Sequence, residues 1–534
     1  MQNFFKKYGY AILLGLVVLF GVLLRLKGLL ANPSFWHDEC ALAWNIKFKT
    51  YPELFGILRF LQVSPPFFLV LTKLITKIFG FSEISFRLLP FTLGVASIIA
   101  FYFLAEKVIK SKVVVIWAVF FFAINQTLIN YSFEFRSYGL DAFFGIICLL
   151  FFVNLDVEKL NAKKALLYGI LLSVVPWFSF TSVFIIAGGV LNILFKSIKN
   201  KSKAFLFPLS SFLFPLILSI LIYAKIYLLN NYTGTSMVSG WQSSFLTLNP
   251  LHCLSLLVDN LRYFFFPMPL VLFGLILFFW GIIIFYKEGY GKTPKSTILR
   301  VFRTRHKGCK CQAQPRSEAD LALTGLGRMR GKFLIFSHPQ EKSKFIEILT
   351  PTFVLFIIAS LLKIYPFSTR LILFMLPIFL LFMIKPLDSA VYGKKIKLFA
   401  VLLLMFFTFY PQIVMVNRFI HTKDIARGEH PREMMESLIK NIKPSDIVIV
   451  SNDSNTEFAY YSSFYSIKNQ IIQEPQKINH KKFLNSLEKK KNYWFYLTFQ
   501  DSKMIQDWIA QNSAKIKLVY RNNLNDYLLY VYLK

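Results

Sequence analysis

Two adjacent carboxylates, Asp38 and Glu39 in FWHDEC (35–40), directly follow an apolar run of about one membrane-helix length. Carboxylates at the edge of a hydrocarbon layer are costly, so the placement asks for a use. A carboxylate can take the proton of an attacking hydroxyl, or it can ligate a divalent cation. A second group is YSFEFRSYGLD (131–141), where Glu134, Arg136, Tyr138 and Asp141 crowd one short turn between apolar runs. The rigid donor fork of an arginine matches phosphate; a Glu–Arg pair capping the next helix fits the same residues. A third is KIYPFSTR (363–370), with Lys363, Tyr365 and Arg370 around a proline turn. Two cations there suit a lipid phosphate at headgroup depth, or plain snorkelling to the interface. Arg25 and Lys27, near the end of the first apolar run, form a fourth group with the same two readings.

The elements that carry these groups read as membrane helices. The chain has 534 residues, 55% hydrophobic and 17% aromatic, with 60 Phe. Its apolar residues come in blocks of about 17 to 25, the length that crosses a hydrocarbon core. The period-2 alternation of a membrane barrel is absent. About eleven spans are expected, at 9–30, 87–106, 113–130, 139–155, 165–178, 180–195, 204–226, 264–286, 347–363, 370–385 and 398–416. The first resembles a signal peptide. It is long and no small-x-small site follows, so a retained helix is the expectation.

The net charge of +33, from 61 Lys+Arg against 28 Asp+Glu, would suggest nucleic acid in a soluble chain. Here the basic residues fall in alternate loops: Lys6 and Lys7, EKVIKSK (106–112), KSIKNKSK (196–203), the stretch 287–346 with 14 Lys+Arg against 4 acids, and YGKKIK (392–397). Such loops belong to the cytoplasm. With eleven spans, the opposite side receives 31–86, 131–138, 227–263, 364–369 and everything after 417. All the chemical groups above then share one outer face.

Residues 31–86 form a long external loop, in which 65–80 reads as a helix lying on the membrane surface, with Lys73 and Lys77 one turn apart. Residues 1–419 read as the membrane domain, and 420–534 as a small extracytoplasmic α/β domain. In the latter, strands are expected at 446–453, 493–499, 516–521 and 526–533, and helices at 431–442 and 501–511. The five cysteines make no disulfide framework, and HKGCKC (306–311) fits no standard zinc spacing.

Cations and carboxylates at one membrane depth suit a reactant with an apolar tail, an interfacial phosphate and an outer head group, such as a polyprenyl-phosphate sugar. The phosphate leaves with its developing charge stabilised by cations, while a carboxylate deprotonates the acceptor.

At these residues the chain resembles the GT-C superfamily of membrane glycosyltransferases, in the branch with protein O-mannosyltransferases, the lipid A aminoarabinose transferase and the RgtA/B/C/D-like enzymes. The resemblance is carried by LLRLKGLLANPSFWHDEC (23–40), by residues 64–108, by YSFEFRSYGLDAFF (131–144) and by YPFSTRLILFMLPIFLLF (365–382). It implies an inverting transfer from a polyprenyl-phosphate sugar on the outer face of the plasma (inner) membrane. Asp38 would be the base with Glu39 beside it, Glu134, Arg136 and Tyr138 would line the cavity, and Arg370 would touch the phosphate. Ser64 stands where the family often has His before the proline pair. The basic stretch 287–346 is also a departure. No metal is carried over, and a divalent metal stays open. The acceptor is a lipid, a glycan or a protein. A lipid-linked-sugar flippase and a glycan ligase or polymerase are the competing classes; the first would show paired repeats with broken helices, and the second a large outer loop late in the chain.

Overall fold

The structure, a computed structural model, describes residues 2–156, 160–199, 206–223, 225, 240–265, 271–290, 339–391, 395–422, 430–452, 454–474, 480–497, 502–521 and 527–533. HKGCKC and most of the basic stretch 287–346 lie outside the described residues.

The long apolar blocks fold as helices because a backbone in hydrocarbon must satisfy its own polar groups. In chain order these are α1 (Gln2–Ala31), α2 (His37–Phe48), α3 (Pro66–Phe79), α4 (Glu83–Val108), α5 (Lys112–Ala123), α6 (Gln126–Ser132), α7 (Tyr138–Asn154), α8 (Ala162–Val174), α9 (Ser182–Lys199) and α10 (Leu206–Tyr223). There follow α11 (Pro250–Phe265), α12 (Val271–Tyr290), α13 (Pro339–Leu361), α14 (Leu376–Val391), which a 3₁₀ segment Thr369–Met375 precedes, and α15 (Lys395–His421).

A helix lies at each of the eleven expected spans. Six are long and apolar enough to cross a membrane: Tyr8–Ala31, Glu83–Val108, Val271–Glu288, Lys344–Leu361, Thr369–Val391 and Lys395–His421. The pair α5 and α6, bent by 53° at its break, makes a seventh. At the other expected positions stand shorter helices: Tyr138–Asn154, Ser182–Lys196, Ser210–Tyr223 and α8. The chain is a polytopic α-helical membrane protein. The segment Thr369–Val391 is strongly apolar between Arg370 and Lys385 and almost wholly buried, which places it inside the bundle rather than on its rim.

The two ends of the bundle differ chemically. At one end Lys385 is buried against Asp388 (2.7 Å) and Glu288 (3.0 Å), and Asp388 accepts the backbone N–H groups of Lys110 and Ser111 at the start of α5. The other end carries α2 and α3 and the candidate chemistry. There α3 stands where a surface helix was expected. Its Lys73 donates to the carbonyls of Ile46 and Lys49, closing the C-terminal end of α2.

Beyond α15 come α16 (Pro431–Asn441), β1 (Ile447–Val450), α17 (Asn455–Ser462), β2 (Ile471–Gln473), α18 (His480–Asn485), β3 (Asn492–Leu497), α19 (Ser502–Asn512), β4 (Ser513–Arg521) and β5 (Tyr527–Leu533). The five strands form one sheet, ordered β2-β1-β3-β5-β4. β1 pairs parallel with β2 and β3, with Val448 opposite Ile471 and Trp494; β5 is antiparallel to β3 and β4. The run Ile-Val-Ile-Val is buried on both faces, as a central parallel strand requires.

This sheet unit shares a core with the membrane part. Phe35, Cys40, Leu42, Ile46, Phe68, Phe86 and Phe135 pack in one cluster with Met434, Met435, Leu438, Phe458, Tyr460 and Tyr461. Lys27 extends the seam: its ammonium donates to the carbonyls of Phe419, Ile420 and Thr422, at the end of α15.

Candidate active site

The chain leaves α1 through Asn32, which takes the left-handed conformation (φ 43°), and Pro33, and re-enters helix at His37. Asp38 and Glu39 thus sit in the first turn of α2, where free N–H groups and the helix dipole favour negative charge. The two carboxylates face different partners.

Glu39 is 2% exposed and forked onto Arg87 of α4, itself 1% exposed, through contacts of 2.9, 3.1 and 3.2 Å. Its Oε1 also accepts the Phe135 N–H at 2.6 Å. Arg87 in turn donates to the Pro33 carbonyl at 2.6 Å and lies over the Phe35 ring. Glu39 therefore ties α2 to α4 and to the loop after α6.

Asp38 is 16% exposed, and its Oδ2 lies between two guanidinium groups, Arg370 at 3.1 Å and Arg136 at 3.3 Å. Arg136 comes from the tight turn 133–137. It donates to Gln62 Oε1 (2.7 Å), to the Asp38 carbonyl (3.3 Å) and to the Tyr138 hydroxyl (3.2 Å). Burial works against its charge, but Tyr138, Asp38 and Glu134 outweigh that and hold the guanidinium above its ordinary pKa. The turn closes because α7 starts with a residue pair that fits: a Cβ on Gly139 would meet the Tyr131 carbonyl at 2.9 Å. Arg370 stands in the 3₁₀ segment before α14, with three aromatic rings around its guanidinium: Trp36 at 5.8 Å, Tyr138 at 5.7 Å and Trp241 at 5.5 Å.

Asp38, Arg136, Tyr138 and Arg370 are thus brought together, with Glu39 directly behind. Glu134 is buried beside a cavity of about 60 Å³, shared with Pro33, Ser34, Trp36, Glu39, Arg87, Asn130 and Phe133. Two further residues were expected here. Lys363 is exposed at a left-handed turn (φ 56°), and among the described residues no hydrogen bond or ion pair joins its ammonium to the cluster. Tyr365 packs on Phe184 and Phe356 and donates its hydroxyl to the Leu371 carbonyl at 2.9 Å. Burial pushes that phenol well above its usual pKa. Arg25 and Lys27 are likewise away from the cluster. Arg25 is fully buried and donates to the carbonyls of Gly21 (3.0 Å) and Ala123 (2.8 Å), the latter at the break between α5 and α6.

Sequence reading missed Arg87, Gln62, Trp241 and Glu457, which lies 2.9 Å from His37. Arg87 carried a signal, since it too is a cation at the outer end of an apolar run. Gln62, Trp241 and Glu457 carried none. Among the described residues no group of three or more His, Cys, Asp or Glu is placed to hold a metal ion.

No protein-family model matches the chain, and no curated protein matches it. Among solved structures it is similar to the Archaeoglobus fulgidus oligosaccharyltransferase complex with zinc and sulfate (TM-score 0.43, 14% identity, 86% of this chain). It spans 62% of that protein's length. It is also similar to ArnT from Cupriavidus metallidurans, in the apo state (TM-score 0.42, 12% identity, 97% of this chain and 98% of ArnT). The form of ArnT bound to undecaprenyl phosphate gives a TM-score of 0.41 at 10% identity, over 98% of each chain. The likeness is distant in every case.

Proposed function

We propose that the chain is an integral-membrane glycosyltransferase that moves a sugar from a polyprenyl-phosphate donor to an acceptor hydroxyl, with inversion. The observation that carries the reading is Asp38, a partly accessible carboxylate bridged by two arginines at the end of an apolar bundle. In the resting state Asp38 bridges Arg136 and Arg370 and offsets one of their two charges. A phosphate entering at headgroup depth competes for both forks, since each matches its oxygens bidentately. Donor binding then releases Asp38 as it seats the leaving group.

In the transfer, the acceptor oxygen attacks the anomeric carbon and its proton passes to Asp38. The bond from that carbon to the phosphate oxygen breaks, and polyprenyl phosphate leaves with the electron pair. The two guanidinium groups face the charge that develops there, where fixed cations act most strongly. Tyr138 and the two tryptophans around Arg370 hold its plane and present apolar surface to sugar or tail. Glu39 serves this chemistry from behind, by fixing the turn that carries Asp38.

In this reading the site end of the bundle faces the outside of the plasma (inner) membrane, with the N-terminus cytoplasmic and the sheet unit extracytoplasmic. The acceptor is a lipid, a glycan or a protein reaching the site from that side. The test compares native protein with Asp38→Asn in membranes supplied with a radiolabelled polyprenyl-phosphate sugar pool, at matched insertion. Loss of transfer by orders of magnitude with undecaprenyl-phosphate binding retained is expected. Unchanged transfer refutes the base, and label carried across the bilayer without transfer refutes the enzyme.

A further inference from the structure

Three consecutive side chains at the start of α2 reach in three directions. Asp38 meets Arg136 and Arg370, Glu39 meets Arg87 on α4, and His37 meets Glu457 on α17. The first two contacts lie within the membrane part. The third crosses to the sheet unit, over a separation of 420 residues.

Glu457 is an unusual partner. Its side chain is 0% exposed, while that of His37 is 38% exposed. Among the described residues His37 Nδ1, at 2.9 Å from Oε1, is the only side-chain partner of the carboxylate, and Oε2 has none. A carboxylate so deeply buried is costly without a cation or several donors. The sheet unit therefore keeps an expensive group aimed at the residue beside Asp38. The seam around it is tied at further points. The Phe35 N–H donates to the Tyr461 hydroxyl (2.8 Å), Tyr461 and Arg432 both meet Glu83, and Lys47 donates to Ser463 Oγ (2.9 Å). Those contacts also hold the two parts together, and Glu457 is the one acidic residue among them aimed at the first turn of α2.

We propose that Glu457 is a positioning residue for the transfer. It acts through His37 to fix the rotation of the first turn of α2, and with it the place of Asp38 between the two arginines. The inference rests on the reading of Asp38 as the base. His37 and Asp38 are successive residues of one helical turn, so a hinge at His37 moves the base. A misplacement of about 1 Å costs on the order of a hundredfold in rate. Donor binding falls mainly to Arg136 and Arg370, whose anchors Gln62, Tyr138 and Trp241 lie outside the first turn of α2.

The experiment measures initial rates over a range of labelled polyprenyl-phosphate sugar, with the full chain in proteoliposomes. It compares native protein, Glu457→Ala, Glu457→Gln, His37→Ala and Asp38→Asn. Glu457→Ala and His37→Ala are expected to lower kcat by about 10- to 100-fold with donor KM within about twofold. Glu457→Gln keeps an acceptor for Nδ1–H and recovers most of the rate, which a loss of folded protein would not do. Should Glu457→Ala give no monodisperse protein, His37→Ala, at a half-exposed position, carries the test. Native kcat in these variants beside an inactive Asp38→Asn overturns the positioning role alone. A rise in KM with kcat intact overturns it too. Native rate in Asp38→Asn removes the base, and the proposal with it.

Discussion

Replacing Arg87 by methionine isolates the pair behind the candidate base. The native fork makes three contacts to Glu39 and one to the Pro33 carbonyl, with both charged side chains all but fully buried. Methionine keeps most of the stem and its packing, so the cavity contribution is small. Glu39 is left in place with the Phe135 N–H and, at 3.4 Å, the Trp36 N–H. Breaking a buried pair from one side costs about 3–5 kcal/mol. The lost contact over Phe35 adds about 0.5–2 kcal/mol. The sum, about 3.5–7 kcal/mol, approaches the whole stability of many proteins, about 5–15 kcal/mol. Removing both charges together, Glu39→Met with Arg87→Met, leaves no orphaned ion and is expected to be at least about 2 kcal/mol more stable than Arg87→Met alone. SDS-titrated unfolding of the full chain in mixed micelles measures both. Arg87→Met within about 1 kcal/mol of native, or a double variant less stable than the single, refutes the claim that Glu39 serves as an ionic tie.

Arg370→Lys keeps a positive charge near Asp38 but loses the plane set among Trp36, Tyr138 and Trp241; labelled-donor kinetics should show a rise in KM of about tenfold, and an unchanged KM counts against a bidentate phosphate contact. Gly28→Ala places a Cβ 2.0 Å from the Phe133 ring and must push α1 away from the turn that carries Arg136. A stability loss of about 1–3 kcal/mol with reduced transfer is expected in the same unfolding and transfer assays. Lys385→Met strands Asp388 at the far end of the bundle; it should cost about 3–5 kcal/mol in unfolding yet leave transfer per folded molecule at the native rate.

The helical plan was readable because each span announces itself locally, as a block of one composition and one length. The bend between α5 and α6 was not, although Asn125 and Gln126 stand at the break and Asn125 caps α6; the Ala123 carbonyl at that break accepts from Arg25 of another helix. Strands at β1, β3, β4 and β5 fall where aromatic and β-branched runs stand, while β2 is three residues on a sheet edge and too short to show a pattern. α11 fell in a stretch read as loop, because Asp259 and Arg262 on its exposed side break the apolar run by which the spans were found. Asp38, Arg136 and Arg370, which the structure brings together, were singled out because charge at a membrane lip is costly wherever it occurs, and Tyr138 came with Arg136 in the same short turn. The same rule admitted Lys363, and cost alone does not separate a snorkelling ammonium from a ligand. It singled out Glu39 without revealing its partner, because Arg87 is 48 residues away and was counted as the first residue of a span. His37 and Glu457 were beyond reach for the same reason, at far greater separation.

The core that seats α2 joins residues 35–140 with residues from 434 onward. A ribosome adding about 5–20 residues per second takes roughly 15 s to a minute to go from residue 140 to residue 461. Throughout that interval α2 and α3 are already made, while Met434, Phe458, Tyr460 and Tyr461, which will cover them, are still to come. The apolar side of these helices has the bilayer surface for cover in the meantime. Asp38 can meet Arg136 and Arg370 before that, but the contact of its neighbour His37 with Glu457 forms only once α17 is made.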